Sequence, residues 1–137
     1  MGKPLAHLIG DKKLIAKLEK LARKFQRRIE KKVLRAGATP IKKAIKKEVP
    51  VDEGHLKKSI DFKLTGKGAA IIGPRGDYYE DGESPANYSH LVEYGYTTED
   101  GKTVPGKHPI ERGYKAAEAT SAAKMNAKAE SEINKLL

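Results

Sequence analysis

Apolar residues recur at helical spacing over the first third of the chain. Between residues 11 and 36, six of them lie three or four positions apart: Leu14, Leu18, Leu21, Phe25, Ile29 and Val33. On a helical wheel these six fall within an arc of about 120°. The pattern therefore predicts an amphipathic helix, and Asp11 is expected to be its N-cap.

A glycine and a proline then interrupt the helical pattern. Gly37 ends the regular spacing, and Thr39 followed by Pro40 has the form of a new helix start, with Thr39 as N-cap and Pro40 in the first turn. This second helical piece is expected to continue to Glu48. The sequence thus predicts a kink or a break near Gly37 and leaves open which of the two occurs.

After the basic helical region, the spacing changes to alternation and turn signals. Pro50 disfavours a helical conformation in the residue before it, and Asp52 is expected to cap a short helical turn over residues 54–59. Alternating apolar residues predict strands at 60–64 and 69–73. The Thr-Gly-Lys-Gly sequence between them has hairpin chemistry, so the two strands are expected to pair antiparallel.

The second half of the chain combines turn signals with one more long helical segment. A third extended piece is expected to begin at Tyr78, whereas residues 88–96 fit either a strand or a helical turn. Residues 97–107 are predicted to be a loop, and a last helix is predicted from Pro109 towards Leu137. The predicted fold class is α+β, with a long basic N-terminal helix, a small antiparallel sheet and a C-terminal helix. The expected parts of this single domain are a basic helical arm at 1–48, a β-rich body with acidic loops at 49–108 and the final helix at 109–137.

Charge is distributed unevenly over these parts. The 137 residues include 28 Lys plus Arg and 18 Asp plus Glu, a formal net charge of +10. Residues 1–48 carry 16 basic and 4 acidic side chains, whereas residues 49–137 carry 12 and 14. Cysteine is absent, which excludes disulfides, thiol nucleophiles and thiolate metal sites. Apolar stretches are only a few residues long, so no membrane span is predicted. The charge asymmetry is therefore the main functional lead.

A row of basic residues follows the first predicted helix beside its apolar face. Its seven members, the basic stripe, are Lys13, Lys17, Lys20, Lys24, Arg27, Lys31 and Arg35. They lie within about 80° of one another on the helical wheel. Like charges at this spacing repel, so the stripe indicates either a solvated face or a surface for an anionic partner. That partner is nucleic-acid phosphate or an acidic protein surface.

An acidic segment rich in tyrosine lies in the second half of the chain. Residues 76–101 contain seven acids and neither Lys nor Arg. The candidate interface residues here, the acidic-tyrosine lobe, are Asp77, Tyr78, Tyr79, Glu80, Asp81, Glu83, Glu93, Tyr94 and Tyr96. Tyrosine is favoured at protein interfaces, although two or three of the rings in this segment equally fit a role in closing the small core. We hypothesise that the basic stripe of one copy contacts the lobe of the next, a heterologous contact that closes into a ring.

No combination of side chains in the sequence indicates an enzyme or a cofactor site. The four histidines are scattered, and no serine lies in a nucleophile-elbow sequence. His90 and Glu93 lie three residues apart, but no third ligand follows at an obvious spacing, which favours a surface contact over a metal site. No catalytic residue, metal ion or cofactor is therefore predicted.

Four short segments together resemble a family of long-tailed bacteriophage proteins. They read PVDEGHLKKSI at 50–60, IIGP at 71–74, YSHLVEYG at 88–95 and VPGKHPI at 104–110, in the order of the family's own segments. The structural motif residues among them are Pro50, Asp52, Gly54, Leu56, Ser59, Gly73, Pro74, Gly95 and Pro109. Glu53 stands where the family usually has Thr, and residues 110–113 replace an aromatic-led FLRP segment. The last helix is therefore expected to begin or pack differently from that of the family.

The family consists of head–tail joining or tail-completion proteins, often labelled minor tail components. The resemblance implies a non-enzymatic virion protein of the neck or tail top, made in the cytoplasm of the host bacterium. It implies a homo-oligomeric ring around the DNA channel, with six copies favoured and twelve as the alternative. Expected neighbours are neck, tail-terminator or tail-tube proteins, with at most weak, non-specific contact to passing DNA and no membrane. In this setting residues 52–54 are expected to be a structural turn rather than a site.

The alternative function is that of a small basic nucleic-acid-binding protein that contacts phosphates through its N-terminal helix. Phe25 is the only Phe, Tyr or Trp among residues 1–48 and belongs to the apolar face, so base stacking is not expected from this region. A strongly basic channel would hold DNA by counterion release and hinder its passage. This favours a basic stripe placed between subunits or between rings. The sequence itself does not determine whether the stripe faces the lumen, the neighbouring subunit or the next ring.

Overall fold

The computed structural model describes residues 12–50, 54–80 and 82–137. Its elements, in chain order, are α1 (Lys12–Glu48), α2 (His55–Ser59), β1 (Ile60–Leu64), β2 (Ala70–Pro74), a 3-10 turn (Pro85–Asn87), α3 (Ser89–Tyr94), β3 (Gly95–Thr97), β4 (Thr103–Pro105) and α4 (Pro109–Asn134). The predicted α+β class is confirmed, because a long helix precedes and another follows two small antiparallel sheets. The two predicted caps, Asp11 and Asp52, lie outside the described residues.

The first helix runs unbroken through Gly37 and Pro40. The predicted restart at Thr39 is therefore wrong, and so is the alternative of a break. Thr39 Oγ1 instead donates a hydrogen bond to the Arg35 carbonyl oxygen at 2.8 Å, one turn earlier in the same helix. Pro40 cannot donate a backbone hydrogen bond to the Ala36 carbonyl, so the helix continues with one bond fewer. Packing of this part of α1 against α4 offsets the loss.

The fold is organised by the antiparallel pairing of α1 with α4. Ser121 Oγ donates to the Gly37 carbonyl oxygen at 2.7 Å, and the Lys32 ammonium lies 3.1 Å from the Glu132 carboxylate. At the other end of the pair a Cβ atom on Gly113 would lie 2.5 Å from the Ile45 Cα. The two backbones thus approach so closely that only a glycine fits at position 113. Small residues of α4 form this contact, although the sequence of α4 contains few large apolar side chains.

Six buried apolar residues of the described chain form a small core: Ile41, Ile45, Val49, Leu56, Ile60 and Ala117. It lies where the last turns of α1 meet α2, β1 and the first half of α4. Ile45 and Ile60 are each only 1% exposed, and Ile72 and Val92 pack against the cluster from the sheet and from α3. The core therefore holds the C-terminal end of α1, and not its beginning.

The first hairpin agrees with the sequence prediction. β1 pairs antiparallel with β2, from Ile60 opposite Pro74 to Leu64 opposite Ala70. The second strand starts and ends one residue later than predicted, which lies within the usual uncertainty of strand ends. In place of the third extended piece expected from Tyr78, the structure has an isolated bridge between Glu80 and Glu83.

A second hairpin occupies a region that the sequence predicts to be a loop. β3 pairs with β4, from Gly95 opposite Pro105 to Thr97 opposite Thr103. Gly95 has φ 85°, and a Cβ atom on it would collide with the Val104 carbonyl oxygen. The loop prediction for residues 97–107 is thus wrong at Thr97, which ends β3, and at Thr103–Pro105, which form β4. The residues at 88–96 adopt both alternatives in turn, first helix α3 and then strand β3.

Candidate functional site

The outer half of α1, defined as residues 12–28, projects past the end of α4. Every residue in this range is exposed, whereas residues 29–48, the inner half, contain the buried positions of the helix. Four side chains at helical spacing form an apolar row on the outer half: Leu14, Leu18, Leu21 and Phe25, between 40% and 56% exposed. The amphipathic pattern that predicted the helix is correct, but the fold leaves most of this part of its apolar face uncovered. Of the row, Phe25 lines a shallow apolar groove with Ile133 and Leu136 at the end of the chain.

The basic stripe lies on exposed positions along both halves of α1. Two lysines of α1 outside the stripe have carboxylate partners within the chain: Lys32 pairs with Glu132, and Lys42 lies 3.0 Å from the Asp61 carboxylate. Among the described residues none of the seven stripe cations has a carboxylate at such a distance. Because the stripe adjoins the apolar row, the outer half presents a cationic and an apolar strip side by side.

The structure divides the acidic-tyrosine lobe into residues with internal partners and residues on the surface. Arg75 donates two hydrogen bonds to the Asp77 carboxylate, at 2.8 and 3.0 Å, and this pairing lowers the pKa of Asp77. The Tyr78 hydroxyl donates to Glu80 at 2.6 Å, which raises the pKa of Tyr78 to about 12 and lowers that of Glu80. Glu83 is exposed. Asp81 lies outside the described residues.

Glu93 has an internal role that sequence reasoning missed. Its side chain is 7% exposed, and its two carboxylate oxygens accept the backbone N–H groups of Ile110 and Glu111 at 2.9 and 3.1 Å. These are unsatisfied donors of the first turn of α4, which begins at Pro109. Glu93 thus caps α4 from α3 and contributes no surface charge. Glu93 and Ile110 lie 17 residues apart, so the sequence gives no local signal of this cap.

Three tyrosines of the lobe are exposed. Tyr79, Tyr94 and Tyr96 are 64%, 76% and 45% exposed. Tyr78 is half-buried, and Tyr88, the remaining ring of the segment, packs against the core. Both alternatives considered for the tyrosines therefore have candidates: Tyr88 helps to close the core, and the three exposed rings are positioned for an interface.

Residues from three motif segments line a shared groove of about 600 Å³. This motif groove lies between the start of α2, α3 and the second hairpin. Its lining includes Pro50, Gly54, His55, Leu56, Tyr88, Leu91, Val92, Tyr96, Val104 and Pro105. The groove was not predicted, because the residues that form it are far apart in the sequence and the hairpin on one side was expected to be a loop.

The other motif residues have structural roles. Gly54 adopts φ 78° directly before α2, and the Ser59 hydroxyl donates to the Leu56 carbonyl oxygen at 2.6 Å in a fully buried position. Gly73 and Pro74 end β2 opposite β1. These residues position the groove and the first hairpin.

For His90 and Glu93 the sequence favours a surface contact over a metal site, and His90 is not part of the cluster of possible metal ligands found among the described residues. Glu93, His108 and Glu111 offer ligand atoms within 4.8 Å of one another instead. Both oxygens of Glu93 already accept backbone hydrogen bonds, and His108 Nδ1 lies 3.7 Å from the Glu111 carboxylate. The start of α4 accounts for all three groups. Among the described residues, no helix has the length and apolarity needed to cross a bilayer.

Comparison with known proteins places these surfaces in a family context. A family model described as "Bacteriophage HK97-gp10, putative tail-component" matches residues 12–95, more than half of the chain. The match begins with α1 and ends at the start of β3, so it includes the basic stripe, the first hairpin and most of the acidic-tyrosine lobe. The search of curated proteins finds no match, and neither does the search of solved structures.

Proposed function

We propose that this chain, which belongs to the HK97-gp10-like family of bacteriophage tail components, forms a homo-oligomeric ring that helps to join head and tail. The family assignment identifies a structural protein of the phage tail and therefore of the virion. The proposal adds the ring, its position in the neck or tail top, and its neighbours. These are neck, tail-terminator or tail-tube proteins, with six copies favoured and twelve as the alternative.

The observation that carries the proposal is the presence of two complementary surfaces on one chain. Residues 12–28 carry eight basic side chains and one acidic, whereas residues 76–101 carry seven acids and no Lys or Arg. Of these acids, Asp77, Glu83, Glu99 and Asp100 are exposed, whereas Glu93 is buried. The stripe cations have no carboxylate partners within the described residues, so their charge is available to a partner outside the chain. Two different patches that fit each other give a heterologous contact, which closes into a ring when the rotation between copies allows it.

The same charge argument supports a place for the stripe between subunits or between rings. DNA passes through the channel of a tail, and seven phosphate contacts per subunit would retain it by counterion release. A stripe that faces a protein surface leaves the channel less adhesive. DNA is then a passing, non-specific contact, and the host cytoplasm is the compartment in which the subunits are made.

Native mass spectrometry and electron microscopy of the purified full-length protein test the proposal. The expected result is a closed multimer that dissociates as salt rises. Reversing three stripe charges, as K20E/K24E/R27E, is expected to weaken assembly at least about 10-fold. Both the rate at which the subunits associate and the stability of the contact between them depend on these charges. The matched control K43E/K47E/K57E changes the net charge equally at exposed positions away from the outer half. Assembly that neither salt nor the stripe variant affects would contradict the charged joint.

The exposed basic stripe also supports the second candidate, a phosphate-binding protein. A chain that uses all seven stripe cations on duplex DNA is expected to bind with a slope of about −6 in log affinity against log salt. A monomer that binds bulk duplex DNA with such a slope would favour this candidate. A closed multimer with weak DNA affinity favours the ring.

A further inference from the structure

We infer that the apolar row on the outer half of α1 of one copy docks in the motif groove of a second copy. The inference rests on the proposed self-assembly and adds to it the surface that receives the helix. It also gives the motif groove a binding role, where the sequence indicated only structural turns.

The apolar row cannot reach the motif groove of its own chain. α1 is continuous to Glu48, and the groove begins two residues later at Pro50. From Lys20, in the middle of the outer half, to Glu48 the helix spans about 40 Å at its rise of 1.5 Å per residue. Row and groove therefore lie at opposite ends of one rigid helix, and only a second copy brings them together.

Apolar side chains line much of the motif groove. Leu91, Val92 and Val104 line it together with the ring of Tyr96. Leu91 and Tyr96 are 37% and 45% exposed, so the groove presents uncovered apolar surface to a partner. A shallow apolar groove with aromatic sides is a common receptor for one face of an amphipathic helix, which binds through residues spaced three and four apart. Leu14, Leu18, Leu21 and Phe25 have this spacing.

Charge favours the groove over a second outer half of α1 as the partner of the apolar row. The chain segment that supplies α3 and β3 belongs to the acidic region at 76–101, and Glu99 and Asp100 lie exposed at the tip of the second hairpin. A basic helix docks in the groove with its stripe turned towards these carboxylates and away from Lys107, which also lines the groove. Two outer halves packed against each other would instead bring two basic stripes together, and like charges at close range oppose that pairing.

A test mixes two variants that each lose one of the two surfaces. L18A/L21A removes apolar side chains from the row while preserving helix propensity, and L91R places a cation in the groove. Each variant alone is expected to assemble at least about 100-fold more weakly than the wild type. Mixed in equal amounts, they are expected to form a heterodimer and nothing larger, because the intact helix of the L91R variant enters the intact groove of the other. The readout is native mass spectrometry.

Matched controls separate loss of binding from loss of folding. Ile71 is 65% exposed on β2, away from the groove, and I71A is expected to assemble like the wild type. Circular dichroism is expected to show the same helix content and melting for all variants, since each altered side chain is exposed.

The outcomes distinguish this inference from the proposed ring. If the wild type forms rings and L18A/L21A forms them equally well, the docking is overturned and the ring stands. If L91R assembles alone, the outer halves pair with each other and the docking is overturned. If the wild type is a monomer at every concentration, the ring and the docking fail together.

Discussion

The inner and outer halves of α1 have the same apolar periodicity and opposite surroundings. In the inner half Ile41 and Ile45 are buried, whereas in the outer half Leu18 and Leu21 are more than 50% exposed. The difference arises on α4, which ends at Asn134 and has its Glu132 beside Lys32. Amphipathic spacing thus specifies a helix with one apolar face, but the length of the partner helix decides how much of that face the chain itself covers.

The two halves also differ in how their contacts are made. The inner half meets α4 through Gly113, Ala117 and Ser121, whose small side chains let the two backbones approach closely. The outer half carries larger side chains and an adjacent row of cations. The inner contact is suited to permanent packing, and the outer surface is suited to a partner that has both apolar and acidic groups.

The largest expected effect comes from truncating equivalent apolar residues in the two halves. I45A removes a side chain that is 1% exposed and is expected to lower the free energy of unfolding by about 3 kcal/mol. L18A removes one that is 56% exposed and is expected to change it by less than about 0.5 kcal/mol in the monomer. Urea unfolding of both variants, at protein concentrations low enough to prevent assembly, gives the comparison. Equal losses would show that the outer half is packed within its own chain.

A smaller loss is expected from adding one methyl group at the closest backbone approach. A Cβ atom at position 113 would lie 2.5 Å from the Ile45 Cα and 2.6 Å from its nitrogen, and neither atom can move without the helix. G113A is therefore expected to destabilise the chain by about 2 kcal/mol, although alanine favours the helix by about 1 kcal/mol.

Two further glycines serve as controls for G113A. At Gly37 the atoms nearest to the added Cβ belong to the side chains of Met125 and Ser121, which can move, so G37A is expected to cost less. At Gly76 no atom of the described residues, its two chain neighbours aside, lies within 4 Å of the added Cβ, and G76A is expected to be neutral. The measurement is again the urea midpoint. A loss from G113A no larger than that from G76A would contradict the close helix contact.

The comparison also shows what local sequence signals can predict. The helical spacing along α1, the hairpin turn at Thr65–Gly68 and the start of the last helix at Pro109 are patterns within a few residues, and the structure agrees with each. The continuity of α1 at Gly37 was not predictable in this way. It depends on Ser121 and Met125, which approach from a helix more than 80 residues later.

The candidate surfaces were predictable to a similar extent. The basic stripe lies where the helical wheel places it, on exposed positions of α1, and its use as an interface stays a prediction. The motif groove could not be anticipated, because its walls meet only after the second hairpin forms around Gly95 and Gly106. Glu93 was assigned to an interface on charge alone, and its burial follows from the unsatisfied N–H groups of a helix that begins 16 residues later.

The smallest expected effect concerns the ion pair between Lys32 and Glu132, which connects α1 and α4 near the boundary between the two halves. Hydrogen bonds from Lys32 and Lys135 lower the pKa of Glu132 to about 2, against 4.5 for an ordinary glutamate. The unfolded chain therefore takes up a proton at this site before the folded chain does, and the link loses its stabilisation as the pH falls from about 4.5 towards 2. E132Q cannot titrate, so its stability is expected to fall less steeply over that range and to start lower at neutral pH. E118Q, at an exposed position of the same helix, is the control and is expected to keep the slope of the wild type. Urea unfolding at a series of pH values measures the slopes, and parallel curves for E132Q and the wild type would show that Lys32 and Glu132 do not hold α4 against α1 at this boundary.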